Sequence, residues 1–466
     1  MVNALSPGGA RAVARCDELG AAPYSDLPDA LYRGYLTPAH RAAIDRVGAW
    51  MAEAGMQVRI DPAANLIGRY EATSPNAPAL IIGSHIDSVG DGGKYDGPLG
   101  VMLGIECVAA LQGRSLPFAI EIIAFGDEEG SRFPAAMLTS RAVAGTLDAA
   151  ALDMVDAQGI SVADALAEMG LNVATYLTAA RAPGTTLAYL EAHIEQGPLL
   201  EAEGLAVGTV TGIAAQLRYE ITVVGTAGHA GTTSMPLRRD ALAGAAEMIL
   251  AVETIAQAAA SDLVATVGRI EASPGAANVI PGSVTFTLDV RSGDAAQRDE
   301  AAAKILEAVR TIAGKEPCQT SLFSREGGSP GSQTLPFVAP EPPLSRGNDG
   351  GVEQESGAPG RNLDLTITLI HDLPASPCDP ALMDLMDAAT AAAGHPVRRL
   401  VSGAGHDAMV MAALCPTAML FIRCRGGISH NPAEYVDPAD AEVALRVMSG
   451  FIDRLSDQMG ATLDPA

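Results

Sequence analysis

The stretch Ile82 to Leu99, reading IGSHIDSVGDGGKYDGPL, constrains this chain most. The apolar run Ala79-Leu80-Ile81-Ile82 stops at Gly83, and His85 and Asp87 follow at once. A glycine-rich turn, Gly90 to Gly93, then delivers Asp96 just ahead of another apolar segment, Leu99 to Leu111. A strand ending in His-x-Asp, with a further Asp returned by a glycine loop, sets imidazole and carboxylate at one strand edge. Borderline divalent metals take that donor set, nitrogen and oxygen together. Alone, His85 reads equally well as an ordinary hydrogen-bonded histidine, so the rest of the chain must decide.

Phe118 to Gly126 (FAIEIIAFG) has the pattern of a central strand, an apolar run bounded by turn residues. It ends in Asp127-Glu128-Glu129, three adjacent acids that repel one another and call for a cation unless they form a solvated turn. In Leu187 to Glu201 (LAYLEAHIEQGPLLE), His193 and Glu195 fall on one strand face because the side-chain period is two. Helices are expected at Thr37 to Ala54, with Pro38 in the first turn, across Asp148 to Ala180 as one or two covering helices, at Asp379 to Ala393, and from Asp437 to Leu455.

From Gly208 the character changes. Strands at Val210 to Val224, Leu263 to Ile270 and Val284 to Arg291 alternate with helical segments at Leu237 to Ala259 and Ala295 to Ala313. Two helices among antiparallel-compatible strands make a compact α+β unit. The expected fold is therefore α/β: a catalytic domain with a central mixed sheet flanked by helices, plus an inserted α+β domain. The expected division is 1–208 and 374–466 for the catalytic domain and 209–373 for the insertion. Residues 316–361, rich in Pro, Gly and Ser and without periodicity, read as a disordered surface segment.

A formal net charge of -25 argues against a nucleic-acid or anionic-membrane partner, since either needs a basic face. A small anionic substrate stays open if local arginines overcome the global field. The six cysteines form no CxxC pair and read as reduced thiols. The N-terminus lacks a signal pattern and no apolar run is expected to approach a membrane span, so a cytoplasmic setting is expected.

Of eight histidines, five lie at strand ends or in glycine-rich loops: His85, His193, His229, His406 and His430. Ligands of α/β enzymes bind outside the carboxyl ends of sheet strands. His85, Asp96, Glu129, His193 and His430 would give two metals a few ligands each, with one carboxylate bridging. Such a pair can hold a hydroxide and polarise a carbonyl. The neighbouring Glu128 would be the general base.

The motifs GSHIDSV…GGKYDGPLGV, FGDEEGSRF, EAHIEQGPLLE, GTAGHAGTTSMPLRRDA, NVIPG, SGAGHDA and GGISHNPAEY occur here in that order. Together they resemble the amidohydrolase/carbamoylase branch of the dinuclear zinc aminoacylase and carboxypeptidase-like peptidase family. That branch includes N-carbamoyl-L-amino acid hydrolases and allantoate amidohydrolases. The resemblance implies two divalent cations (Zn²⁺, or Mn²⁺ or Co²⁺), with Asp96 bridging. His85 and His193 would lie on one side, and Glu129 and His430 would complete the second metal. It further implies that Asp87 orients the His85 ring, that the inserted domain is a dimerising lid, and that His229 stabilises an oxyanion across a homodimer.

Gln216, Asn278 and Arg291 match positions that bind the substrate carboxylate, although Arg291 outside this context would read as a surface arginine. Glu195, Gln196 and His406 are implied as polar groups around the substrate. The activity implied is hydrolysis of a C–N bond in a ureido acid. An N-acyl-amino acid deacylase or dipeptidase is the alternative, and a catalytically silent binding protein is a third possibility.

Overall fold

The computed structural model describes residues 6–259, 262–314 and 362–463. The segment 316–361, expected to be disordered, lies outside the described residues, and Cys318 lies within it.

In chain order the strands are β1 (Gln57–Ile60), β2 (Leu66–Tyr70), β3 (Ala79–His85), β4 (Ala119–Phe125), β5 (Thr186–Ile194), β6 (Val207–Ile213), β7 (Ala215–Val224), β8 (Gly228–His229), β9 (Val264–Thr266), β10 (Ile270–Ser273), β11 (Val279–Ile280), β12 (Ser283–Ser292), β13 (Asp364–Leu373), β14 (Ser376–Pro377), β15 (Arg399–Ser402) and β16 (Thr417–Ile422). A nine-stranded sheet runs β1-β2-β4-β3-β5-β16-β6-β14, with β15 also on β6. Its centre is parallel, β4 with β3, β3 with β5 and β5 with β16, while β2 joins β4 and β6 joins β16 antiparallel. The sheet is mixed, as the sequence predicts.

Every residue of β3, β4 and β16 is buried. Period-two geometry sends alternate side chains to two cores. Leu80, Ile82, Ile120, Ile122, Leu190 and Leu420 enter one, while Ile81, Ile123, Phe125, Tyr189, Met419 and Phe421 enter the other. Each such aliphatic side chain contributes roughly 1.5–3 kcal/mol on burial. The first core is covered by helices including Pro98–Leu111, Pro380–Ala392 and the long Pro438–Leu463. Helix Pro38–Glu53 starts where expected: the Thr37 side chain accepts from the His40 amide and Pro38 occupies the first turn.

The chain separates into two compact units, Met1–Gln216 with Arg291–Arg298 and Leu373–Ala466, and Leu217–Val290 with Asp299–Asp372. The second unit carries a five-stranded sheet, β10-β12-β7-β13 with β9 on β12, and the helix Ala241–Ala258. Strand β12 alternates strictly, burying Val284, Phe286, Leu288 and Val290 in this unit's core.

Two expectations need correction. Asp148–Ala180 forms short pieces, Ala149–Asp153, Val162–Glu168 and Val173–Ala179, in place of one or two covering helices. The breaks are chemical. Asp156 takes the amides of Gln158 and Ile160 into a tight turn, and Ser161 and Asn172 each cap the piece that follows them. The second correction is that the helix Ala241–Ala258 is long and apolar enough, by length and composition, to cross a membrane. Its apolarity is mostly alanine, and Ala241, Ala245, Met248 and Val252 are spent in the core of the second unit.

His40 is fully buried, its ring 5.6 Å from Tyr35, and its Nδ1 accepts from the Leu36 amide. Burial pulls its pKa from 6.5 down to about 3. The unfolded chain therefore takes this proton first. The stability His40 contributes is complete above about pH 6.5 and drains as the pH falls toward 3, on the order of 1.4 kcal/mol per pH unit. Chemical denaturation of the wild type and His40→Gln at pH 6, 5 and 4 should give a shallower loss for the variant. Parallel curves would contradict this account.

Candidate metal centre

The parallel strands β3, β5 and β16 and their neighbour β4 all end at one edge, and the chemistry gathers there. His85 is the last residue of β3, His193 the penultimate residue of β5, Asp127 to Glu129 follow β4, and His430 lies in the loop after β16. Three groups have ligand atoms mutually within 4.8 Å: His85, Asp96 and His193; His85, Glu128 and Glu129; and Asp96, Glu129 and His430. Asp96 belongs to two of them.

Around Asp96 the distances are short. His193 Nε2 lies 3.1 Å and His85 Nε2 3.6 Å from Oδ1, while His430 Nε2 lies 3.3 Å from Oδ2 and 3.3 Å from Glu129 Oε1. The other ring nitrogens of the two buried histidines are already engaged. His85 Nδ1 faces the Asp87 carbonyl at 3.2 Å and its carboxylate at 3.3 Å, and His193 Nδ1 faces the Ile194 carbonyl at 2.9 Å. Acceptors at Nδ1 assign the proton there, which turns each Nε2 lone pair toward the Asp96 carboxylate. Lone pairs facing a carboxylate in a dry site repel unless a proton or cation lies between them. The buried His193 Nε2 has no hydrogen-bond partner among the described residues. Two nitrogen-and-oxygen donor sets sharing one carboxylate fit a two-metal site.

The backbone is shaped for this convergence. Gly97 has φ 82, and a Cβ there would sit 2.5 Å from His85 Cε1. Asp87, fully buried, accepts from the amides of Glu128 at 3.1 Å and Glu129 at 3.2 Å, so one carboxylate ties the end of β3 to the turn after β4. Gln196 Nε2 donates to Asp96 Oδ2 at 2.8 Å and Ser429 Oγ donates to the same oxygen. Burial raises the Asp96 pKa, but where protons fill the gaps between the rings and this carboxylate, hydrogen bonds from His193, His430 and His85 outweigh it and hold the carboxyl well below its ordinary value.

The three adjacent acids divide. Asp127 is not among the clustered donors; its Oδ2 accepts from the Leu138 amide, and burial, then Asp87, pushes its pKa well up. Glu129 joins the cluster. Glu128 stands beside His85 and Glu129, its carboxyl pushed well up by burial and by Glu129, Asp407 and Asp87, against the opposing pull of His85.

Other residues singled out from the sequence distribute as follows. His406 packs 4.4 Å from the His193 ring and shares a 2.8 Å hydrogen bond with Ser402 Oγ; burial, then His193, holds it well below its ordinary pKa. Arg291 Nη1 donates to the Gly403 carbonyl in the loop leading to His406. The Gln216 carbonyl accepts from Arg298 at 3.2 Å. His229 and Asn278 lie in the second unit, brought together by the β8–β11 ladder, where the Ala230 amide donates to the Asn278 carbonyl at 3.0 Å. Glu195 accepts through its two oxygens from the amides of Leu199 and Leu200 at the start of the helix Leu199–Glu203.

Glu434 has no assigned task in the sequence reading. Its Oε1 accepts from the amides of Tyr95 at 2.7 Å and Asp96 at 3.1 Å, and its Oε2 lies 3.2 Å from Ser429 Oγ. Burial, then the Asp96 charge, pushes its pKa up to about 7. Gly93 makes room, since a Cβ there would fall 2.1 Å from Glu434 Cδ. The only sequence signal was its place in the loop that carries His430.

A mixed sheet whose parallel strand ends carry two donor groups sharing Asp96 makes this an α/β protein with a cluster that fits a two-metal site. The chain belongs to Peptidase family M20/M25/M40, whose profile matches residues 81–454. N-carbamoyl-L-amino acid amidohydrolase of Geobacillus stearothermophilus is 40% identical over 414 residues, spanning 88% of this chain and 90% of that one. Allantoate deiminase of Arabidopsis thaliana is 37% identical over 466 residues, spanning 95% and 81%. The crystal structure of a hydantoinase/carbamoylase family amidase from Burkholderia multivorans matches with a TM-score of 0.79 at 31% identity, covering 95% of this chain and 97% of that one.

Glu434→Ala should weaken metal binding about 10–100-fold, as loss of outer-shell support to a ligand typically does. Glu434→Gln, which keeps an acceptor for both amides, should weaken it less. Competition against a chromophoric chelator measures both, and equal affinity in Glu434→Ala and wild type would remove Glu434 from the site.

Proposed function

We propose that this chain is a metal-dependent amidohydrolase that cleaves a C–N bond of a ureido acid, with an N-carbamoyl-L-amino acid or allantoate as substrate. The observation that carries the reading is the convergence of three imidazole Nε2 atoms on the Asp96 carboxylate, with Glu128 beside the cluster. The relatives named for the two activities support the substrate class. Both substrates combine a carboxylate with a carbamoyl nitrogen.

His85, His193 and Asp96 would hold one cation and Asp96, Glu129 and His430 the other, with Zn²⁺, Mn²⁺ or Co²⁺ suited to the donors. Bound there, the cations would polarise the ureido carbonyl and acidify a water. Glu128 takes the proton from that water and returns it to the departing nitrogen as the C–N bond breaks. Its elevated pKa is the direction that a group passing a proton both ways requires. Asp87 keeps the His85 ring in one tautomer and orientation.

Arg291, with Gln216 and Asn278, grips the substrate carboxylate, since a guanidinium meets a carboxylate through two parallel hydrogen bonds. His406, Glu195 and Gln196 complete the polar surroundings. The second unit serves as lid and dimerisation domain, and His229 supplies oxyanion stabilisation from the partner subunit. Exposed Leu369 and Ile370 on β13, and Leu242 and Leu250 on the helix Ala241–Ala258, support a homodimer formed through this unit.

Ammonia release by the Mn²⁺-loaded protein should appear with N-carbamoyl-L-methionine or allantoate. Glu128→Gln should lose about 10²–10⁴-fold in rate while keeping its metal content. Silence on both substrates with turnover of N-acetyl amino acids would overturn the ureido reading in favour of a deacylase. Loss of metal in Glu128→Gln would make Glu128 a ligand.

A further inference from the structure

At the opposite end of the central strands, before β3 and β5 begin, lies a cavity of about 580 Å³. Roughly 20 Å of strand separates the start of β3 from His85. The volume suits a small molecule, and the lining includes Arg69, Thr73, Asn76, Glu121, Arg181 and Ala182.

Glu121 is a charged residue inside the otherwise apolar β4, only 4% exposed. A buried carboxylate persists only when paired, and two guanidinium groups pair it. Arg69 Nη1 reaches Oε1 at 2.8 Å and Arg181 Nη1 reaches Oε2 at 2.6 Å. Burial raises the Glu121 pKa, but Arg181 and Arg69 together bring it below the ordinary value.

The two arginines are not equally satisfied. Arg69 also donates to Glu71 at 3.0 Å and to the Ala77 carbonyl at 3.2 Å, so all three of its nitrogens are used. Arg181 has a side chain only 10% exposed, yet its Nε is buried without a hydrogen-bond partner among the described residues. Two guanidinium groups share one buried carboxylate, and the second carboxylate, Glu71, pairs with Arg69 at the exposed rim and not with Arg181. A permanently charged guanidinium, nearly buried in a cavity wall and with its Nε–H unmet, is matched by an oxyanion.

We infer that this cavity is a second ligand site, separate from the metal centre, for a small molecule carrying a carboxylate or phosphate held by Arg181. The anion accepts from Arg181 while Glu121 holds the guanidinium in place through Nη1. The exposed Asn76 lines the same space.

Equilibrium dialysis of inorganic phosphate against the metal-loaded protein tests this. The wild type should bind one phosphate equivalent that Arg181→Met binds at least tenfold more weakly, with turnover unchanged in the variant. Ala182→Trp fills the cavity while leaving the Arg181–Glu121 pair intact. It should lose the same equivalent, and it decides the matter if Arg181→Met fails to fold. Displacement of that phosphate by succinate assigns a carboxylate ligand, and resistance to displacement assigns a phosphate; either supports the site. Equal phosphate binding by the wild type and Ala182→Trp would overturn it.

Discussion

Everything at the metal centre depends on how the Asp96 carboxylate is held. Three imidazoles approach its two oxygens, and Gln196 and Ser429 donate to one of them. Glu434 fixes the backbone that carries this carboxylate by accepting from the amides of Tyr95 and Asp96. A buried anion ringed by lone pairs is costly in isolation. Its cost falls when cations occupy the spaces between the donors, so the same features that make the apoprotein site electrostatically awkward define it as a binding site.

The sheet explains why these groups meet. The largely apolar strands β3, β4, β5 and β16 are buried along most of their length, and their parallel alignment brings their carboxyl ends to one edge. Asp87 then converts adjacency into fixed geometry by bonding His85 on one side and the amides of Glu128 and Glu129 on the other. A shift of one residue in any of these registers would turn a ligand to the wrong face.

Much of this was legible in the sequence because the signals were local. Apolar runs ending in Gly and then His or Asp mark strand ends, and the structure brings His85, Asp96, Glu129, His193 and His430 together. What was not legible depended on partners far away in the chain. Glu434 lies 338 residues from Asp96, and nothing near it in sequence reveals the amides it binds. Glu195 has the same strand face as His193, yet the chain reverses at Gly197-Pro198 and brings the Leu199 and Leu200 amides within its reach. In Asp148–Ala180, local Asp, Ser and Asn side chains captured backbone amides and cut a helical pattern into short turns. The charge of Glu121 within β4 gave no hint of its two arginines, which arrive from β2 and from the loop before β5.

The central claim is that two cations share Asp96. Anomalous diffraction from crystals of the metal-loaded protein tests it most directly. The account predicts two peaks per chain, one among His85, His193 and Asp96 Oδ1 and the other among Glu129, His430 and Asp96 Oδ2. A single peak, or two peaks of which either lies away from Asp96, would contradict it.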